Sequence, residues 1–465
     1  MSNNNLNSDR PLRVMISAGE ASGEMYGAEL LTALRALHGG QVECFGMGGE
    51  RMREAGCELV VNARDVAVVG LFEVLSHLPG IYREFHKLLT EVDRRRPDVA
   101  VLIDFPDWNF RLAKQLRRRG IPVVYYVSPQ LWAWRKGRLE LVQRDVSEML
   151  VIIPFEREFY ARNGVQVEFV GHPLSELEPP KVSREDFAAR WGLDAARTWI
   201  ALLPGSRRKE LRLNLPAMLG AAERLSEGAA SGNAATPLPT AGAGEFEFVM
   251  PVASTLDREW VREQIAQCAA GVQVKLTDDA RASLLHARVG VVASGTATVE
   301  AALIGTPFVM VYRVAGLTWT LGRHLVKLPH YGMVNLVAGR EVVPELIQNG
   351  FTPERVEREV RALLEDGGAR QRMIEELGEV RGKLRGESAD AEIPHSPREA
   401  LQPGKMPLRP QAPGGCGLPA ETAPLKPTTG LNGPPAPPSP QAPGESTAIR
   451  AARAVLRVAE SARRK

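Results

Sequence analysis

The sequence predicts an α/β protein made of two doubly wound, Rossmann-like halves. Three observations predict it. Short β-branched runs alternate with amphipathic stretches along most of the 465 residues, the signature of parallel sheets with crossover helices. The runs are apolar at successive positions, as in "VAVLID" (99–104) and "VGVVA" (289–293), so each strand is covered on both faces. The alternation pauses at "PLSELEPPKVSREDFAARWGLD" (173–194) and then restarts, which places a junction near residues 172–195.

In chain order, the first half offers strands at "RVMIS", "VAVLID", "PVVYYV" (122–127), "MLVIIP" (149–154) and "VEFVG" (167–171). Amphipathic helices such as "IYREFHKLLTEVDRRR" and "NFRLAKQLRRRG" lie between them. The second half repeats the scheme with "TWIALL" (198–203), "FEFVMPV" (246–252), "VQVKL" (272–276), "VGVVA" and "PFVMVY" (307–312). Ligands of open α/β sheets bind at the carboxyl ends of the strands, so two halves in tandem imply a substrate cleft between them. The division reads as one domain over 1–175 and a second over 195–385. Residues 386–444 hold about fifteen of the 34 prolines and read as a Pro/Gly-rich disordered linker. Residues 445–465 return to an amphipathic helix, expected to dock on the body of the protein or on a second subunit, which leaves a homodimer open. A surface loop is expected at 227–245.

Composition removes several classes. The 58 Lys+Arg nearly balance the 55 Asp+Glu, giving no electrostatic case for a nucleic-acid partner. The four cysteines have no metal or redox spacing and point to a reducing, cytoplasmic setting. No apolar run reaches the roughly 18–20 residues that span a bilayer, and the polar start "MSNNNLNSDRPLR" lacks a signal-peptide core. A soluble protein, attached to a membrane surface at most, is expected.

Five stretches carry candidate chemistry. "SAGEASGEMYGAELL" (17–31) has the strand–loop–helix frame of a phosphate turn, yet it is neither G-x-G-x-x-G nor a P-loop. Glu20 inside it would repel a phosphate at the helix start. It reads either as a tight βα turn or as a site where a carboxylate accepts from sugar hydroxyls. "LIDFPDWNFRLA" puts Asp104 at the end of a buried strand, where active-site groups collect. Asp107 reads as the cap of the following helix, which leaves Asp104 as the functional carboxylate. "YYVSPQLWAWRKGR" reads as an exposed loop or a cleft wall, with Arg135, Lys136 and Arg138 available to an anion. "LLPGSRRKE" exposes backbone N–H groups at Gly205 and Ser206 and adds the forked cation of Arg207, a combination suited to a diphosphate. In "VVASGTATVEAALIGTP", Ser294, Gly295 and Thr296 open a second anion-suited helix. Glu300 follows one turn on, where a carboxylate holds ribose hydroxyls. A nucleotide is therefore expected in the second half. The apolar run at 63–85 includes Val68, Val69, Leu71, Phe72, Leu75 and Leu78 and reads as core or as a patch for lipid.

Taken together, these stretches resemble the bacterial lipid-A-disaccharide synthases. Others carry the likeness as well: "GMGGERMREAGCE", "VVGLFEVLSHLP", "IPFEREFY", "FVGHPL" and "NLVAGREVVPELIQ". The resemblance covers residue 13 to about 385 and resumes in the final helix. It implies a GT-B glycosyltransferase, with an acceptor- and membrane-facing first domain and a UDP-donor second domain. It implies inverting transfer of 2,3-diacylglucosamine from UDP to the 6-hydroxyl of 2,3-diacylglucosamine 1-phosphate, at the inner face of the inner membrane of a Gram-negative cell. By the same resemblance Asp104 is the general base and Glu20 an acceptor-side site residue. Arg207 contacts the UDP phosphate, Glu300 the ribose, and Asn335 lies near the uracil or phosphate. The apolar run near 66–81 touches the membrane. No acidic cluster suited to a divalent metal is apparent, so neither metal nor cofactor is expected. Two alternatives remain at this stage. One is another UDP-sugar enzyme, such as a UDP-N-acetylglucosamine 2-epimerase. The other is a non-catalytic nucleotide- or lipid-binding protein of the membrane surface.

Overall fold

A computed structural model gives the fold and describes residues 10–39, 41–66, 71–134, 136–231, 246–268, 271–316, 319, 328–365, 367–386 and 445–464. The first sheet contains β1 (Leu12–Ala18), β2 (Val42–Gly48), β3 (Glu58–Asn62), β4 (Val99–Ile103), β5 (Val123–Tyr126), β6 (Glu148–Val151) and β7 (Glu168–Phe169). Its order is β3-β2-β1-β4-β5-β6-β7. The second contains β8 (Thr198–Leu203), β9 (Phe246–Pro251), β10 (Val274–Thr277), β11 (Val289–Ala293), β12 (Phe308–Tyr312) and β13 (Glu345–Ile347), in the order β10-β9-β8-β11-β12-β13. Every pairing is parallel. The central strands are buried along their whole length, as the continuous apolar runs require.

Strand order reverses between β1 and β4 in the first sheet and between β8 and β11 in the second. Such a switch point leaves a crevice outside the strand ends. "SAGE" and Asp104 leave the first switch point; "PGSR" and "SGT" leave the second. The candidate residues are thus gathered by topology before any side chain is considered.

The helix Thr447–Arg463 docks onto the first half of the same chain. Ser446 caps it by accepting from the Ile449 N–H. Its buried face is Ala451, Ala452, Ala454, Val455 and Ala459, and these small side chains let it lie close against the helix Ala21–His38. Arg463 pairs with Asp98 at 2.7 Å, Arg450 donates to the Val170 carbonyl at 2.7 Å, and Arg457 pairs with Glu168. Among the described residues no helix is long and apolar enough to cross a membrane. The linker expected at 386–444 and most of the loop expected at 227–245 lie outside the described residues.

Candidate active site

At the first switch point the chain leaves β4 through a strained turn. Asp104 has φ 45° and Phe105 φ 46°, both left-handed without being glycine, a conformation that costs energy and persists only where its surroundings enforce it. The enforcing bonds are explicit. The Asp104 carbonyl accepts from Asn109 Nδ2 and from the Tyr125 hydroxyl, each at 2.7 Å. The Asp104 N–H donates to Tyr126 at 3.1 Å. Asn109 is fully buried, also donates to the Ile103 carbonyl, and accepts from Ser17 at 2.8 Å. The Phe105 ring lies flat on Gly19, where any Cβ would overlap it. That close approach explains the first glycine of "SAGE". The helix Pro106–Arg118 begins with Phe105 at its cap position. Asp107 therefore sits in the first turn rather than at the cap expected from sequence, and it pairs with Arg138 at 2.5 Å.

Burial pushes the Asp104 carboxyl up to about 6, and the negative charge of Glu20 adds to the rise, while a bond from the Phe105 N–H opposes it. A carboxylate near 6 is largely ionised at neutral pH yet still basic enough to take a proton. Glu20 is exposed and caps nothing with its side chain, so it is available to a ligand. Tyr26 lies on the helix Ala21–His38 that follows Glu20. Its ring is 5% exposed, and Glu29, Glu300 and Asp104 together add to the rise that burial gives its phenol. One residue of the first half thus senses both the Asp104 turn and the Glu300 helix.

At the second switch point, Gly205 has φ 119°, and a Cβ there would meet Glu210 at 2.7 Å. Ser206 N–H donates to Glu210 Oε2 at 3.2 Å, and Arg207 lies 3.6 Å from the same carboxylate and is largely exposed. Thr255 fixes the Ser206 carbonyl at 2.6 Å. Glu210 thus stands where a diphosphate is expected. Beyond β11, Ser294 is half-buried, Gly295 has φ 148° with open space around it, and Thr296 is exposed at the start of the helix Thr296–Ile304. Glu300 is half-buried; burial raises its carboxyl and Arg281 lowers it.

Asn335 has a different job from the one expected. It is fully buried; its amide NH2 donates to the Val343 carbonyl and to Glu345, and its oxygen accepts from the N–H groups of Val342 and Val343, all within 2.9 Å. Both donors and both lone pairs are used. Asn335 and Glu345 pin the loop leading into β13, and the side chain has nothing left for a nucleotide. Val68 and Val69 lie outside the described residues, as do Arg135 and the side chains of Leu71, Phe72, Leu75, Leu78 and Lys136. No group of three metal-ligating side chains occurs among the described residues. Tyr26, Asn109 and Glu156 escaped the sequence reading. Asn109 was legible only as a helix residue after Asp107, and Tyr26 as one apolar position on a helix face.

Solved structures share this architecture. A UDP-GlcNAc 2-epimerase from Neisseria meningitidis superposes with a TM-score of 0.54 at 12% identity, covering 82% of this chain and 99% of that one. The glycosyltransferase of kitacinnamycin superposes with a TM-score of 0.52 at 16% identity, covering 82% and 98%. Likeness at this level shows the fold alone: GT-B, an architecture shared by that epimerase and that glycosyltransferase. Sequence relatives choose between the two. Residues 14–392 match the family model described as lipid-A-disaccharide synthetase. The lipid-A-disaccharide synthase of Koribacter versatilis is 58% identical over 373 residues, covering 80% of this chain and 93% of the relative. That of Acidobacterium capsulatum is 49% identical over 403 residues, covering 84% and 96%. The chain belongs to the lipid-A-disaccharide synthase family, and it is a glycosyltransferase of lipid A biosynthesis. The epimerase and non-catalytic readings give way to it.

Proposed function

We propose that the enzyme moves 2,3-diacylglucosamine from its UDP conjugate to the 6-hydroxyl of 2,3-diacylglucosamine 1-phosphate, with inversion, and releases UDP. Asp104 takes the O6 proton as O6 bonds to the donor's anomeric carbon; the bond from that carbon to the diphosphate oxygen breaks, and its electrons leave with UDP. Gly205, Ser206 and Arg207 receive the leaving diphosphate, assisted by the helix start at Ser294, Gly295 and Thr296. Glu300 holds the ribose. Glu20 accepts from acceptor hydroxyls. The observation that carries this reading is Asp104 at the switch point: a half-buried carboxyl, which burial pushes up to about 6, on a left-handed turn held by Asn109 and Tyr125. Strain of this kind concentrates at functional sites, and a base tuned toward neutrality suits proton transfer from a hydroxyl.

The apolar run with Val68, Val69, Leu71, Phe72, Leu75 and Leu78 fits a contact with acyl chains at the inner face of the membrane, where substrates with two acyl chains reside. The two separate sheets support domains over 1–175 and 195–385. The test is incubation with UDP-2,3-diacylglucosamine and the acyl-glucosamine 1-phosphate acceptor, read by mass spectrometry. Wild type yields the tetra-acyl disaccharide 1-phosphate; Asp104→Ala yields none while still binding UDP. Turnover by that variant at near-normal rates removes Asp104 from the role of base.

A further inference from the structure

We propose that Glu156 is a positioning residue: its buried carboxyl ties the loop after β6 to the loop after β5 and so holds the wall beside the Asp104 turn. The proposal rests on the reading of Asp104 as the base, because it concerns what keeps that turn in place.

Glu156 is 1% exposed and opens the helix Glu156–Arg162. Its Oε1 accepts from the Trp132 indole N–H at 3.2 Å, and its Oε2 accepts from the Ile153 N–H at 3.3 Å. Trp132 also meets Phe155 edge-on, with ring centroids 5.0 Å apart. Ser128, at the other end of the same loop, donates to the Pro129 carbonyl at 3.0 Å and lies 2.7 Å from the hydroxyl of Tyr160, on the same helix as Glu156. The loop it grips starts at Val127, whose φ of 64° is rare for a β-branched residue. It ends at Arg138, paired with Asp107 three residues beyond Asp104. One described route therefore leads from the Glu156 helix to the Asp104 turn, from Tyr160 and Ser128 along β5 to the Tyr125 hydroxyl, while Trp132 anchors the same loop. This route touches no substrate.

Among the described residues no cation compensates this carboxyl. On the surrounding elements Arg157 is exposed, Glu158 pairs with Arg162, and Arg138 is committed to Asp107; Tyr160 is the titratable group that faces it. Burial pushes the carboxyl up to about 8, although the bonds from Trp132 and Ile153 pull it down. At neutral pH it holds its proton, and a neutral acid both donates and accepts. Ionised, it becomes a buried charge with no counter-ion among the described residues, which a structure relieves by opening. The sign follows. The unfolded chain loses this proton near 4.5 and the folded chain near 8, so stability falls as pH rises from 4.5 through about 8.

The experiment compares wild type, Glu156→Gln and Glu156→Ala over pH 6–9.5. In wild type, kcat/KM falls above pH 8, approaching about tenfold per unit. Glu156→Gln keeps the neutral form: it stays within roughly threefold of wild type at pH 7 and loses that alkaline limb, while Glu156→Ala drops at least about tenfold at every pH. The Tm of Glu156→Gln gains on wild type between pH 5 and 8. An alkaline limb that is unchanged in Glu156→Gln overturns the proposal, as does a Gln variant no better than the Ala variant at pH 7. Should Glu156→Gln fail to fold, Trp132→Phe answers instead. It removes the indole donor and leaves the carboxyl, so kcat/KM drops severalfold; unchanged kinetics break the proposed tie. These outcomes differ from loss of the Asp104 role, which removes the acid limb near pH 6.

Discussion

Replacing Glu20 with Gln tests the coupling between the two carboxylates at the first switch point. Asp104 rises from 3.8 to about 6, with burial the larger cause and Glu20 the second. Wild-type log kcat/KM therefore bends downward below pH 6, because protonated Asp104 cannot act as base; at pH 7 about nine-tenths of it is ready. Glu20→Gln removes the like charge and leaves the burial. The bend moves toward lower pH by on the order of one unit, about 1.4 kcal/mol of differential interaction, and stops short of 3.8. The assay is UDP release under kcat/KM conditions from pH 4.5 to 8, at low and at 0.5 M salt. Glu20 is exposed, so the shift shrinks as salt screens it. A bend that stays at 6 in Glu20→Gln shows that the two groups do not communicate. A bend that stays put in Asp104→Asn shows that another group is the base.

Three further perturbations separate ligand contacts from structural ones. Asn335→Ala strands four buried partners and lowers Tm by several degrees, on the order of 2–4 kcal/mol; Arg207→Ala leaves Tm within a degree and weakens UDP binding, as calorimetry would read. Glu210→Gln tightens UDP several-fold, because the carboxylate now bonded to Ser206 competes with the diphosphate; weaker binding would mean that Glu210 orders the loop for the ligand. Gly19→Ala forces the Phe105 ring away and cuts kcat by about tenfold or more through the Asp104 turn, with UDP affinity unchanged; equal kcat would mean that the turn adapts freely.

Both switch points were legible because β1, β4, β8 and β11 are mostly apolar runs followed within two residues by glycine, aspartate or serine. β2, β3 and β13 were not. β2 reads "VECFGMG", with an acidic residue, a cysteine and two glycines, and β13 has three residues; pairing supplied by a neighbouring strand forms them against weak local preference. Asp104 was readable as a candidate base from its place at a strand end, whereas the strain of its turn was not, since Asp104, Phe105 and Val127 belong to no motif for positive φ. The internal bonding of Asn335 was not legible because a buried asparagine and a ligand-binding one look alike until the hydrogen bonds are traced. Glu156 was invisible for the opposite reason: it sits among charged neighbours in "FEREFY", and nothing local says that it is the buried one.

The docking of Thr447–Arg463 onto the first half inverts the order of synthesis and completion. The second sheet and its last helix, ending at Arg385, are fully translated before the segment that covers Ala21–His38 exists. The half made first is thus finished last, and its uncovered helix must wait on the ribosome for a partner encoded at the far end of the message. Translation-arrest reporters should register a folded second half at chain lengths where the first remains open to protease; a first half already protected before residue 447 emerges would contradict this order. A stop codon anywhere in 387–444 would spare every candidate site residue and still leave that helix bare.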